Sequence, residues 1–260
     1  MSTRSLKLSK HEPLGTIALN RPEQCNALDL PMIDELLHAL DDFHREKSVR
    51  AVALTGVGRA FCSGLDLAQL RSTGLREDSY DKWHDMASRF GQLIEQILRY
   101  PKPIIAVVNG PALAGGAGLV LASDLAIAEP GAEMGLPAPR RGLVAGVVAP
   151  LLTFRVGGGR AAQLLLTGTA ISAESAFQWG IYSELVGPDL AWARARELAA
   201  QCAECSPEAL QMTKRMLNET VGEQLFTHLA TGAAVTAASC TTEAAAEGIA
   251  AFLDKRTPHW

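Results

Sequence analysis

The chain has 260 residues, of which 48% are apolar and 20% charged. That composition supports one large core and argues against intrinsic disorder. Lysine and arginine total 24 against 28 aspartates and glutamates, a net charge of −4. No basic field gathers phosphate backbones, so nucleic-acid binding is not expected.

Five cysteines, at 25, 62, 202, 205 and 240, are too few and too scattered for a disulfide framework. They read as reduced thiols of a cytoplasmic protein. Cys202 and Cys205 form a CxxC with no second pair or histidine nearby, so two half-buried thiols on one helix face are expected, and no metal. The first twenty residues hold no apolar run long enough for a signal peptide. The uncharged stretch between Lys102 and Asp124 is as long as a membrane span. Pro103, Asn109, Pro111 and four glycines interrupt it. A buried strand, a turn and a helix explain it better, and no membrane insertion is expected.

In chain order, residues 14–19 read as a strand ending at Asn20-Arg21-Pro22. A helix follows from Pro31 to about Glu46, with Ile33, Leu36, Leu37 and Leu40 at helical spacing. Residues 51–55 are a continuous apolar run typical of a buried strand. Residues 60–67 read as a glycine-containing loop. Residues 81–99 read as a helix with Met86, Phe90, Leu93, Ile94 and Ile97 on one face. Strands are expected at 103–108 and 125–128, with a helix over 115–123 between them. From Val147 the pattern is helical, broken at Gly157-Gly158-Gly159, Gly168, Gly180 and Gly187-Pro188. The last helices are expected near 192–204, 207–219, 223–237 and 241–254. Strand–helix alternation followed by helices alone predicts an α/β protein with a helical tail. That tail has too little core of its own and is expected to pack on the body or on a neighbouring subunit.

Two glycine-containing segments can carry chemistry. One is residues 60–67, AFCSGLDL. The other is residues 109–118, NGPALAGGAG, between a buried strand and a helix. Glycines there let backbone approach a ligand, and the helix N-terminus offers free N–H groups to an anionic oxygen. Neither segment is a nucleotide phosphate loop.

These segments occur in order with Asn26-Ala27-Leu28, Met134-Gly135-Leu136-Pro137, Leu166-Thr167-Gly168 with Ala173 and Ala176, Gly180-Ile181, and Phe252-Leu253-Asp254-Lys255-Arg256. Together they resemble the enoyl-CoA hydratase/isomerase, or crotonase, family over almost the whole chain. The resemblance implies a spiral of ββα turns over residues 1–195 carrying the acyl-CoA site. It also implies a C-terminal helical trimerisation region, residues 196–260, in a homotrimer or a hexamer of two trimers. The substrate would be an acyl-CoA thioester, as in fatty-acid metabolism, with no cofactor beyond coenzyme A itself. Carried over residue by residue, the backbone N–H groups of Ser63 and Gly115 form an oxyanion hole. Cys25, Ala27, Ala60, Cys62, Phe252 and Lys255 are the coenzyme A contacts.

The match departs from the family where protons move. The two glutamates of family hydratases fall on Gly118 and Ala138, and neither residue can act as acid or base. Classical hydration is therefore not expected unless another group substitutes. His84 on the 81–99 helix is one candidate, with Trp83 and Asp85 consistent with a surface-facing turn. Glu133 is another, although alternation with Ala132 and Met134 points it away. Asp66 and Asp124 read as structural. Arg140 and Arg141 could hold a substrate carboxylate or another anion, with at least one of them solvated. Of the relatives that lack these glutamates, one branch depends on an aspartate near Gly146 and a histidine near Gly91, and another on an aspartate near Ala145 with bicarbonate recruited as base; none of these side chains is here. Two alternatives remain: another crotonase reaction such as acyl-CoA decarboxylation, and a non-catalytic acyl-CoA binding protein. Gly118→Glu with Ala138→Glu should create crotonyl-CoA hydration if the pocket is open at both positions.

Overall fold

A computed structural model describes residues 5–220 and 222–260; the first four residues of the N-terminal stretch lie outside it. The elements are β1 (Leu6–His11), β2 (Leu14–Leu19), α1 (Leu30–Arg45), β3 (Ala51–Gly56), α2 (Leu67–Gly74), α3 (Ser79–Arg99), β4 (Ile104–Val108), β5 (Ala112–Leu113), α4 (Gly115–Ala122), β6 (Leu125–Ala128), β7 (Met134–Gly135), α5 (Val148–Thr167), β8 (Ala170–Ile171), α6 (Ala173–Gln178), β9 (Glu184–Leu185), α7 (Ala191–Ala203), α8 (Pro207–Arg215), α9 (Glu223–Cys240) and α10 (Glu243–Leu253). Short 3-10 turns occupy Pro22–Gln24 and Ala138–Arg141, and a π-helical turn occupies Met216–Thr220.

The main sheet has the order β1-β2-β3-β4-β6-β9, parallel throughout except for the β1–β2 hairpin. A small second sheet has the order β5-β7-β8. The uninterrupted apolar run of β3 follows from burial on both faces. Val52 and Leu54 enter the large core with α1, α3, α4 and α5. Ala51 and Ala53 face the other way, against Ala195, Leu198 and Ala199 of α7.

Two elements escape the apolar periodicity. β1 buries only Leu6 and is an edge strand held by pairing. α2 buries only Leu70, and Asp66 starts it by accepting the amides of Ala68 and Gln69. The glycine triplet interrupts α5 as expected: Gly157 is non-helical (φ 77°, ψ 164°) and marks a kink between two helical stretches. Cys202 lies in α7, but Cys205 falls beyond its end and is exposed, so the two thiols do not share a buried helix face. Cys205 instead offers its carbonyl to Arg50 at 2.8 Å. Among the described residues, no helix is long and apolar enough to cross a membrane.

The helical tail folds onto the body. α9 lies along α3, and α10 closes over α2 and the Ala138–Arg141 turn. Leu70, Trp83 and Met86 meet Ala237, Cys240 and Ile249 in a small separate core. Trp83 is therefore buried, its indole N–H donating to the Leu70 carbonyl at 3.3 Å. It does not mark a surface turn as the sequence suggested.

Candidate active site

The site begins with the segment 21–28. Cys25 and Asn26 both adopt left-handed backbone (φ 49° and 55°), which costs about 1–2 kcal/mol for each non-glycine residue. Asn26 compensates. Its side chain is fully buried, accepts the Arg21 amide at 2.9 Å, and donates to the carbonyls of Val57, Ala60 and Phe61. Arg21 adds an ionic clamp, reaching Asp29 at 3.1 Å and Asp66 at 3.0 Å. The 21–28 segment is thereby fixed against the 60–66 loop.

This clamp changes which amides are free. The Ser63 N–H, expected in the oxyanion hole, already donates to the Cys25 carbonyl at 3.0 Å. Its neighbours along the loop pair as a β-bridge. The Leu28 amide bonds to the Gly64 carbonyl, and the Asp66 amide bonds to the Leu28 carbonyl. That register leaves the Leu65 N–H without a partner among the described residues. Gly115 is the first residue of α4, where an N–H has no intrahelical acceptor, and it too has no partner among the described residues. Ala114 before it is held at φ 49°, ψ −117°, a strained conformation that sets the direction of the Gly115 amide. Bridge pairing between Cys62 and Ala112 brings the two loops together. The correction is thus one of register. Ser63 lines the cavity, but its amide is spent, and the free pair is Leu65 and Gly115.

Leu65 and Gly115 both line a cavity of about 490 Å³. Of the expected contacts, Cys25, Ala27, Ser63, Gly115, Ala138 and Phe252 line it. Ala60 and Cys62 do not, being packed below the loop, and burial pushes the Cys62 thiol up to about 12. Lys255 is exposed outside the cavity, with φ 55°. His84 is also outside. It sits on the solvent face of α3 near Ser88 and Tyr80, while Trp83, Met86, Ala87 and Phe90 of the same helix face inward. The structure does not bring His84 to the site, because the inward stripe of α3 skips it.

Gly118 is buried and not on the cavity wall. A Cβ there would stand 3.0 Å from Val148 Cγ2 and 3.2 Å from Phe90 Cζ. Both are side-chain ends that line the cavity, and they would have to give by a few tenths of an ångström to admit a larger residue at 118. Ala138 does open onto the cavity. Glu133 is exposed, as the alternation predicted. Asp124 accepts the Ile104 amide at 2.7 Å and pairs with buried Lys214 at 2.6 Å, a structural role.

Asp66 is the only carboxylate on the cavity wall among the described residues, and both its oxygens are engaged by Arg21 and the α2 amides. Cys240 also lines the cavity, its thiol raised to about 11 by burial. The remaining charge is Arg141, which the sequence paired with Arg140. The structure separates them. Arg140 turns to the carbonyl of Thr167 at the end of α5, while Arg141 turns to the cavity. No group of three or more potential metal ligands occurs among the described residues.

The family model described as enoyl-CoA hydratase/isomerase matches residues 9–260. A Thermus thermophilus protein carrying the provisional name enoyl-CoA hydratase is 39% identical over 95% of this chain and 97% of its own. The 2,3-dehydroadipyl-CoA hydratase of Escherichia coli is 33% identical, over 97% of each chain. A crystal structure of an enoyl-CoA hydratase/isomerase from Xanthobacter autotrophicus Py2 superposes with a TM-score of 0.87 at 31% identity, covering 97% of this chain and 93% of that one.

Proposed function

The chain belongs to the enoyl-CoA hydratase/isomerase family and is an acyl-CoA enzyme of the lyase or isomerase class, and from that premise we propose that it holds a thioester carbonyl between the amides of Leu65 and Gly115 and works through the enolate formed there. The observation that carries this reading is the pair of unpartnered amides on one cavity wall. Each such donor, aimed at a developing oxyanion, is worth about 2.7–4 kcal/mol of transition-state stabilisation. The α4 dipole adds to it.

Proton transfer is not arranged as in a two-glutamate hydratase. Gly118 and Ala138 carry no acid or base, and Asp66 is fully engaged. Classical hydration therefore lacks groups that ordinarily contribute about 10²–10⁴-fold each. The same lack favours a second reading, decarboxylation. When a carboxylate leaves the α-carbon as CO₂, the bonding pair becomes the enolate with no base required, and solvent supplies the proton. The two readings share the amide pair.

The division at residues 195/196, which falls within α7, and a trimer or hexamer built on the C-terminal region belong to the same proposal. Exposed Met212, Met216 and Leu217 on one helical stretch support such contacts. Coenzyme A in the substrate is the sole cofactor of this reading, and the cytoplasm its compartment.

The test is calorimetric titration with crotonyl-CoA and hexanoyl-CoA, with the conjugated enoyl-thioester absorbance followed in parallel. Binding of both, with negligible loss of absorbance, is expected. Rapid hydration would overturn the proton-transfer argument. Failure to bind either thioester would overturn the acyl-CoA site itself.

A further inference from the structure

Arg141 is a half-buried cation on the cavity wall with no carboxylate within 4.0 Å among the described residues. Its guanidinium donates to the backbone carbonyl of Arg140 at 3.1 Å and lies over the Phe252 ring at 4.1 Å. Burial, with Arg140 nearby, holds its pKa below the ordinary arginine value. A charge in such a place is costly unless an anion accompanies it.

Its position is built. Gly142 and Gly248 have no room for a Cβ, because the Ala138–Arg141 turn and α10 touch backbone to backbone. Phe252 lies four residues after Gly248 on the same helix face and so lands on Arg141. In a 3-10 turn, side chains at i and i+3 eclipse. Ala138 and Arg141 therefore share one face, towards the cavity. Asp66, the one carboxylate on the cavity wall among the described residues, is held by Arg21 and the α2 amides, so Arg141 has no internal counterion there. The cavity lining is mainly apolar, with Leu143, Val144 and Met86 among it.

We propose that Arg141 selects acyl-CoA thioesters bearing a second carboxylate on the acyl group, that is, monothioesters of dicarboxylic acids. This inference rests on the acyl-CoA reading above and names its substrate class. The planar guanidinium, held by Phe252, presents paired N–H donors that match a carboxylate.

The full-length chain is titrated with adipoyl-, glutaryl- and succinyl-CoA, each against the neutral thioester of equal length: hexanoyl-, pentanoyl- and butyryl-CoA. One diacid thioester is expected to bind about ten- to a hundredfold tighter than its neutral counterpart, the range for a hydrogen-bonded charge. In Arg141→Met that ratio falls towards one, and Arg141→Lys restores part of it. Equal affinity within every pair for the unmodified chain overturns the proposal without any variant, and so does a ratio that survives Arg141→Met. A parallel loss for both members of a pair leaves the ratio intact, assigns Arg141 to the coenzyme A phosphates, and equally overturns it. If the neutral thioesters also fail to bind, the acyl-CoA reading falls first, and this one with it.

Discussion

The α-carbon of Gly64 packs so tightly on Gly115 that a Cβ at Gly64 would stand 2.8 Å from the Gly115 amide nitrogen and 2.7 Å from Ala114 Cβ. Gly64 also sits at φ 94°, a conformation that side chains rarely adopt. Gly64→Ala should push the two loops apart and separate the Leu65 and Gly115 amides. Loss of one oxyanion donor costs about 10²–10³ in kcat. Turnover of an accepted thioester should fall by at least that much, and a variant with unchanged kcat would remove the amide pair from the mechanism.

Gly118→Glu should not restore hydration. The new side chain would meet Val148 and Phe90 at 3.0–3.2 Å from its first carbon. Overpacking of this kind costs about 1–3 kcal/mol, and burying a carboxylate among these side chains adds to it. Thermal unfolding should show the loss, and crotonyl-CoA absorbance should persist even with Ala138→Glu added. Phe90→Ala, which clears part of the space, should recover some stability in the Gly118→Glu background. A Gly118→Glu protein as stable as the parent would show that this wall yields easily.

Asn26→Ala removes the side chain that satisfies three carbonyls and one amide, and it places alanine at φ 55°. Together these effects should cost about 2–4 kcal/mol. Because the segment carries the Cys25 carbonyl that engages Ser63, thioester affinity should fall as well. Chemical denaturation and calorimetry on the same variant check both. Stability lost with affinity unchanged would detach the segment from the ligand.

Glu247 collects the C-terminal tail, pairing with Arg256 and accepting the His259 amide at 2.8 Å. These partners lower its pKa from 4.5 to about 2. A carboxylate depressed on folding contributes stability above its unfolded pKa and loses it as pH falls through the folded one. The tail contact should therefore be complete at neutral pH and weaken only as pH drops from about 4.5 towards 2. The His259 amide resonance, followed by NMR against pH, should report a midpoint near the lower value. A midpoint at the ordinary glutamate value would mean that the tail is not held there.

Much of the framework was readable along the chain. The apolar runs of β3, β4 and β6 and the inward stripe of α3 are local patterns, and they locate strands and helices because both sheet faces and one helix face must be buried. β1 and α2 were missed for the matching reason: each buries a single large side chain, and pairing or capping, not periodicity, creates it.

At the site, the sequence by itself determined which two loops line the cavity, the glycine at 115 that opens α4 with an unpartnered amide, and the absence of glutamates at 118 and 138. It could not determine which amide of the 60–67 loop is left without a partner. Ser63 and Leu65 are two residues apart in one loop, and only the bond from Ser63 to Cys25, made across the fold, uses up one and frees the other. Nor could it separate Arg140 from Arg141 or Trp83 from His84. Adjacent side chains on a turn or helix diverge, and their fates depend on which neighbour packs there. α10 settles the first pair by placing Phe252 over Arg141, and the contact of α3 with α2 and α9 settles the second by burying Trp83. Tertiary packing decided these points because free hydrogen-bond donors and unpaired charges are what remain after every other contact has been made.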